Sequence, residues 1–277
     1  MLRRMTVLEE PISGLAAWSL RLAWFALAVA AMSVIIVRSG ILEIEPALAT
    51  FAAALIFAAL AVLLAFAAYV SIWRQGGRGL GRALSGMLLG LALIAYPSYL
   101  AYRGSKLPAI TDITTDTANP PRFDVLARLR PRGSSEYPGE AVAALQRKGY
   151  PDIAPLVVDA PPKLAYDIAL NLATKRKWHV VDAIPPVPGR RNGEIEAVAR
   201  TPIMGFRDDV VIRIAPQGAG ARIDMRSASR YGMSDFGANA ARVTAMLEDI
   251  DDVVSNAPEP RPAPEKKPQP ASKRTKR

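Results

Sequence analysis

One short stretch of the chain gathers the residue types best suited to hold an anion. Arg226, Ser227, Ser229, Arg230, Ser234, Asp235 and Asn239 fall within fourteen positions, beside Asp208 and Asp209 on the preceding apolar–polar segment. Two guanidinium groups and the free amides of a helix start can bind a carboxylate or phosphate. The same residues also suit a salt-bridged strand exit, with Gly232 making the turn and Ser234 capping the next helix. A second group, Asp112, Thr115 and Asp116, offers carboxylates and a hydroxyl. These can ligate a hard cation such as calcium, or form Asx and ST turns that fix the chain.

Other chemistry lacks its parts. There is no cysteine and one histidine, His179. Disulfides, thiolate nucleophiles and Cys-ligated zinc are excluded, and neither GxSxG nor HExxH occurs. No catalytic residue and no cofactor is expected. A metal-assisted enzyme built on Asp112, Asp116, Asp208 or Asp209 remains an alternative reading.

The elements that carry these residues follow from patterning. Of 277 residues, 51% are hydrophobic, and they concentrate in positions 15–102. Three apolar runs, 15–37, 46–73 and 83–102, each approach or exceed the roughly 20 residues that cross a bilayer. Ala28-Val29-Ala30 resembles a signal-peptidase site, but the apolar run continues to Val37, which favours an uncleaved helix. Arg3, Arg4 and Arg21 precede or open the first run, one Arg lies in the first loop, and Arg74, Arg78 and Arg82 lie in the second. This basic–poor–basic order places the amino end and second loop in the cytoplasm and the following domain in the periplasm of a two-membrane cell. Arg103 and Lys106 argue mildly the other way. No acid lies inside any run, so a proton or ion path is not expected. Gly86 and Gly90 form a GxxxG that allows close helix contact, either within the bundle or as the seam of a homo-oligomer.

Beyond residue 104 the chain reads as one globular domain. Residues 109–121 are extended and closed by Asn119-Pro120-Pro121. Short helices are expected at 123–129 and 139–148, a strand at 153–158, and a helix after Pro161 with Leu164, Ile168 and Leu172 on one face. Four strands follow at 178–184, 194–201, 206–214 and 221–229. Each alternates an apolar face with a face of mixed charge, and the short connections favour an antiparallel meander. A helix at 235–254 carries the stripe Phe236, Ala240, Val243, Leu247, Ile250 and Val254, which would cover the sheet.

The net charge is +10, and half of the excess lies after Asn256, where seven Lys/Arg face two Glu. The domain itself is not strongly basic, so no nucleic-acid partner is expected. The Pro-rich tail is expected to be disordered, with a basic end suited to anionic polymer or lipid.

Three segments carry a resemblance. ITDITTDTANPPRF at 110–123, ARTPIMGFRDDVVIRI at 199–214 and IDMRSASRYGMSDFGANAARV at 223–243 resemble the domain of unknown function 1499 family. The resemblance implies a bacterial or plastid envelope-type domain with no established activity and no catalytic residues to carry over. It also implies that Thr115, Asp116, Pro120, Pro121 and the Arg226–Asn239 set occupy characteristic positions.

The combined expectation is a membrane-anchored α+β protein. A cytoplasmic segment (1–14) precedes three transmembrane helices (15–103). An antiparallel sheet of four or five strands under two helices (104–256) and the tail (257–277) follow. The expected partners are the bilayer and envelope proteins. A carrier holding a lipid or other apolar ligand in a helix–sheet groove is the alternative to a binding or scaffold module.

Overall fold

The computed structural model describes residues 12–40, 44–130, 134–189 and 191–256. The expectations for the amino-terminal arginines Arg3 and Arg4, and for the tail, lie outside these.

Three long helices, α1 (Gly14–Ser39), α2 (Ile44–Gln75) and α3 (Leu80–Gly104), form the amino-terminal bundle, and each is long and apolar enough to cross a membrane. Their packing inverts that of a water-soluble bundle. The buried seam is made of small residues: Ala16, Ser19, Ala23, Ala26 and Ala30 in α1, Ala54, Ala58, Ala61, Ala65 and Ala68 in α2, and Ala83, Gly86 and Gly90 in α3. The large apolar side chains point outward, with Phe25, Ile35, Leu63, Phe66 and Leu88 all more than half exposed. Lipid tails are as apolar as leucine, so a membrane bundle gains from close backbone approach and not from burying its bulkiest groups. Gly86 and Gly90 both serve this approach. A Cβ on Gly86 would lie 2.2 Å from Ser19 Oγ, and one on Gly90 would lie 2.8 Å from the Ala58 carbonyl oxygen. The GxxxG spacing is therefore used inside one chain, against α1 and α2.

The domain after α3 is α+β. In chain order it contains β1 (Asp112–Thr114), a 3-10 turn (Leu126–Leu129), α4 (Glu140–Gly149), β2 (Leu156–Val158), α5 (Pro162–Lys175), β3 (His179–Ile184), β4 (Gly193–Arg200), β5 (Arg207–Gln217), β6 (Gly220–Ser229) and α6 (Ala238–Ser255). Strands β3 to β6 form the expected antiparallel meander, in the order β6-β5-β4-β3. The two short strands β1 and β2 share the outer edge of β6, pairing with residues 226–228 and 221–223 respectively. The β5–β6 hairpin is the longest ladder and runs from Asp208↔Ser229 to Gln217↔Gly220. A Cβ on Gly220 would lie 2.1 Å from the Val158 carbonyl oxygen, so only glycine lets β2 approach this end of the hairpin.

Helices α5 and α6 cover one face of the sheet. Ala165, Ala169, Ala173, Val243, Met246 and Ile250 join Ile195, Val210, Ile212, Ile214, Ile223 and Met225 in one contiguous buried cluster. The opposite face is not left to solvent. Phe123 and Leu126, from the segment between β1 and α4, pack on Val198, Val211 and Ala228 to form a second small core. The mixed-charge face expected from the alternation is thus an interior layer, and Glu196, Asp209, Asp224 and Arg226 on it are each no more than 1% exposed.

Candidate functional site

The charges on this second face are organised as discrete pairs. Arg226 donates through Nε and Nη2 to Asp112 Oδ1 and Oδ2 at 2.9 and 2.7 Å, a fork-to-fork contact joining β6 to β1. Its remaining donors reach the carbonyls of Pro121 and Ser135 at 3.2 and 3.1 Å. The Phe123 and Tyr137 rings close over the guanidinium at 4.7 and 5.5 Å from its carbon. Burial, reinforced by the Asp112 carboxylate, pushes the Tyr137 phenol up to about 12.

Asp209 is also fully buried and holds two cations, Arg130 Nε at 2.5 Å and Arg230 at 2.9 and 2.8 Å. Asp224 takes Arg213 and Arg222, and Arg222 reaches on to Asp116 at 2.7 Å. Asp116 also closes an Asx turn by accepting from the amides of Ala118 and Asn119. Thr115 Oγ1 accepts from the Met225 amide. Asp112, Thr115 and Asp116 therefore fasten the chain leaving the membrane onto β6, the structural alternative offered for them. A cation at either carboxylate would have to displace a bonded guanidinium.

Asp208 and the serines face the other way. Successive strand residues alternate faces, so Ser227 and Ser229 lie on the helix side while Arg226 lies on the loop side. Ser227 Oγ donates to Asn239 Oδ1 at 2.7 Å, and Asn239 Nδ2 donates to Thr111 O and Ser229 Oγ, both at 2.9 Å. Arg242, one turn further along α6, donates to Asp208 Oδ2 at 2.5 Å and to Ser227 Oγ at 2.8 Å. Asp235 Oδ1 and Oδ2 accept from the Gly237 and Asn239 amides at 2.8 Å, so this carboxylate caps the start of α6. Burial pushes its pKa up against the pull of those amides. Ser234 Oγ accepts from the Phe236 amide at 3.3 Å.

The seven residues read as one surface thus separate into three places. Arg226 pairs with Asp112, Arg230 pairs with Asp209, and Ser227, Ser229, Ser234, Asp235 and Asn239 order the β6–α6 junction. Arg226, Ser227 and Asn239 are buried. His179 is an exposed residue at the start of β3.

Glu196, one charge in the alternation along β4, is a carboxylate of this face held by backbone amides. Its Oε1 accepts from the amides of Asp124 and Val125 at 2.5 and 3.1 Å, and its Oε2 from that of Leu126 at 2.7 Å. Glu194 and Asp124 lie beside it, and the three carboxylates come within 4.8 Å of one another. Because both Glu196 oxygens are committed to backbone amides, the group reads as an anchor for the 3-10 turn.

Glu194 is pushed up from 4.5 to about 7, first by burial and then by Asp124 and Glu196. Between those two values the native state keeps a proton that the unfolded chain has released. Folding stability contributed by Glu194 is therefore complete below about pH 4.5 and falls as pH rises through about 7. Glu194→Gln is expected to flatten this slope. It should stabilise the domain at pH 8 by about 1 kcal/mol, less than an unscreened conversion because the carboxyl is partly open to water, and be near neutral at pH 4. Denaturant midpoints of both proteins across pH 4–8 measure this.

Solved structures give weak similarity. The Aha1 dimer from Colwellia psychrerythraea is 12% identical, with 36% of this chain and 92% of that chain covered and a TM-score of 0.24. CalU16 from Micromonospora echinospora is 14% identical, with 35% and 72% covered and a TM-score of 0.22. No curated protein matches the chain. The family described as "Protein of unknown function (DUF1499)" matches residues 112–250. That span holds the six described strands, α5, most of α6 and the segment that buries the charged face of the sheet, and the chain belongs to the DUF1499 family.

Proposed function

We propose that this is a membrane-anchored envelope protein whose DUF1499 domain is a non-catalytic binding or scaffold module facing the periplasm. One observation carries the first half of that reading. The carboxylates best placed for chemistry, Asp112, Asp116, Asp208 and Asp209, are each engaged by an arginine, and three of the four are buried. A general base or metal ligand needs a lone pair that can face a substrate, and these face guanidinium groups. The arrangement suits holding a surface in shape. A metal-assisted enzyme built on these residues finds no support in it.

The carrier reading needs a groove between the helices and the sheet, and the contiguous apolar cluster there weighs against it. An apolar hollow of about 230 Å³ opens instead between α2 and α3, lined by Phe66, Tyr69, Leu84 and their neighbours. The periplasmic orientation rests on the arginines of the α2–α3 connection, Arg74, Arg78 and Arg82, against the poorer loop at the other end of the bundle.

Reporter fusions after Arg82 and after Lys106 test the orientation, and a cytoplasmic signal at the second would overturn it. Native mass spectrometry of the intact chain released from membranes tests the role. Co-purifying protein on an otherwise unliganded chain is the expected result. A stoichiometric small-molecule mass would replace the scaffold reading with the carrier one.

A further inference from the structure

The domain does not hang from α3 by its linker alone; it is seated on the ends of α1 and α3. Arg38, in the last turn of α1, donates through Nη1 to the carbonyls of Pro202 and Ile203 at 2.7 and 3.1 Å, in the β4–β5 connection. Arg200 returns a bond from Nη1 to the Arg38 carbonyl at 3.0 Å. A Cβ on Gly40 would lie 2.6 Å from Arg207 Nη2. On the other side the Phe236 ring lies flush on the end of α3, where a Cβ on Gly104 would be 2.1 Å from its Cδ1. Phe236 holds φ at 53°, a conformation unfavourable for a bulky side chain, so the β6–α6 turn that presents it is held at some cost.

Two features of this end point to what lies beneath it. Ile203, Met233 and Phe236 are 44%, 89% and 47% exposed, and all three belong to the two connections that touch the helix ends. Arg38, Arg200 and Arg207 meet no carboxylate within ion-pair distance among the described residues, whereas Arg130, Arg213, Arg222, Arg226 and Arg230 are each matched to an Asp. Since α1 and α3 end here, this is the level at which a spanning bundle meets lipid headgroups. Apolar side chains rimmed by cations that have no carboxylate partner among the described residues match that layer, which has acyl chain beneath and phosphate above.

We propose that the β4–β5 and β6–α6 connections form a bilayer-contacting rim. Ile203, Met233 and Phe236 enter the acyl boundary, and Arg38, Arg200 and Arg207 engage the phosphates of anionic lipids in the leaflet from which the domain emerges. The inference rests on the helices spanning a bilayer and is independent of which compartment the domain faces. It makes the lipid surface part of the domain's binding face.

The chain has no cysteine, so single labels can be placed freely. The test uses the full chain carrying Met233→Cys, Gln217→Cys or Leu63→Cys, labelled with a nitrobenzoxadiazole dye. Each is reconstituted in phosphatidylcholine nanodiscs with and without about one-third phosphatidylglycerol. Gln217 is exposed at the far end of β5, about 30 Å along the strand from Arg207, and Leu63 lies outward in α2. With the anionic lipid present, quenching by shallow doxyl lipid is expected to be at least about threefold stronger at 233 than at 217. Arg200→Gln with Arg207→Gln, or about 0.5 M salt on the unsubstituted arginines, should roughly halve quenching at 233.

Strong quenching at 63 with equal, weak quenching at 233 and 217 would overturn the rim while leaving the membrane reading intact. Absence of quenching at 63 would remove the membrane reading and the rim together. Quenching at 233 that ignores phosphatidylglycerol, salt and both arginines would overturn the phosphate contact.

Discussion

Arg226→Met is expected to destabilise the domain by about 3–5 kcal/mol, the cost of leaving a buried charge without its partner. The change removes both bonds to Asp112, which is itself only 5% exposed. Asp112→Leu should cost a similar amount for the mirror reason, stranding a guanidinium under Phe123 and Tyr137. The two together should be far less harmful than their sum. With both charges gone, a methionine thioether can take the guanidinium's place against the same rings, and the double variant is expected within about 1 kcal/mol of the native chain. Pulse proteolysis of the detergent-solubilised protein across a urea series measures all three. If Arg226→Met costs under about 1 kcal/mol, the pair is not desolvated as the structure has it. A double variant as unstable as either single one would mean that geometry, and not charge balance, holds β1 on β6.

The order of elements was legible because it rests on local periodicity. Strand alternation at 194–200 and 207–214 separates faces residue by residue, and the stripe through Ala240, Val243 and Ile250 marks the helix that covers them. The membrane helices were legible from length and apolarity. The hidden part was the second layer on the sheet. Its covering segment has no period, and its burial is led by two isolated side chains, Phe123 and Leu126. The partners that make charge tolerable there are far away in sequence. Arg130 finds Asp209 across 79 residues, and Glu196 finds the 124–126 amides across about 70. A sequence shows that Glu196 is charged. It does not show that three backbone amides will meet it.

The candidate site failed to converge for a reason that was present in the sequence. Arg226 and Ser227 are neighbours in a strand and must point to opposite faces. Closeness in sequence, which gathers residues on a loop, scatters them on a strand. Arg242 lay one helical turn past Asn239 and ties Asp208 to the Ser227–Asn239 bond. The spacing along α6 could have suggested it once a helix was expected there.

Glu196→Ala carries the second large expected effect, about 3 kcal/mol, because it unmakes a whole local structure. Three consecutive amides at the start of the 3-10 turn lose their acceptor at once. The turn is too short to satisfy them itself, since its own bonds form further along, as Arg128 N to Val125 O does. Leu126, fully buried, and Phe123 are positioned by those amides, so the small second core should loosen with them. Arg226 would then lose the Phe123 ring from one face. Glu196→Gln separates the contributions. One carbonyl oxygen can still accept from one side of the turn, but the amide nitrogen that replaces the other oxygen confronts a donor, so about half of the alanine penalty is expected. Hydrogen exchange locates the effect. Protection should fall first at residues 123–129 and on the loop side of β4, while the β5–β6 amides stay slow. Uniform loss across the sheet would show that Glu196 supports the whole fold, and not the layer that seals its charged face.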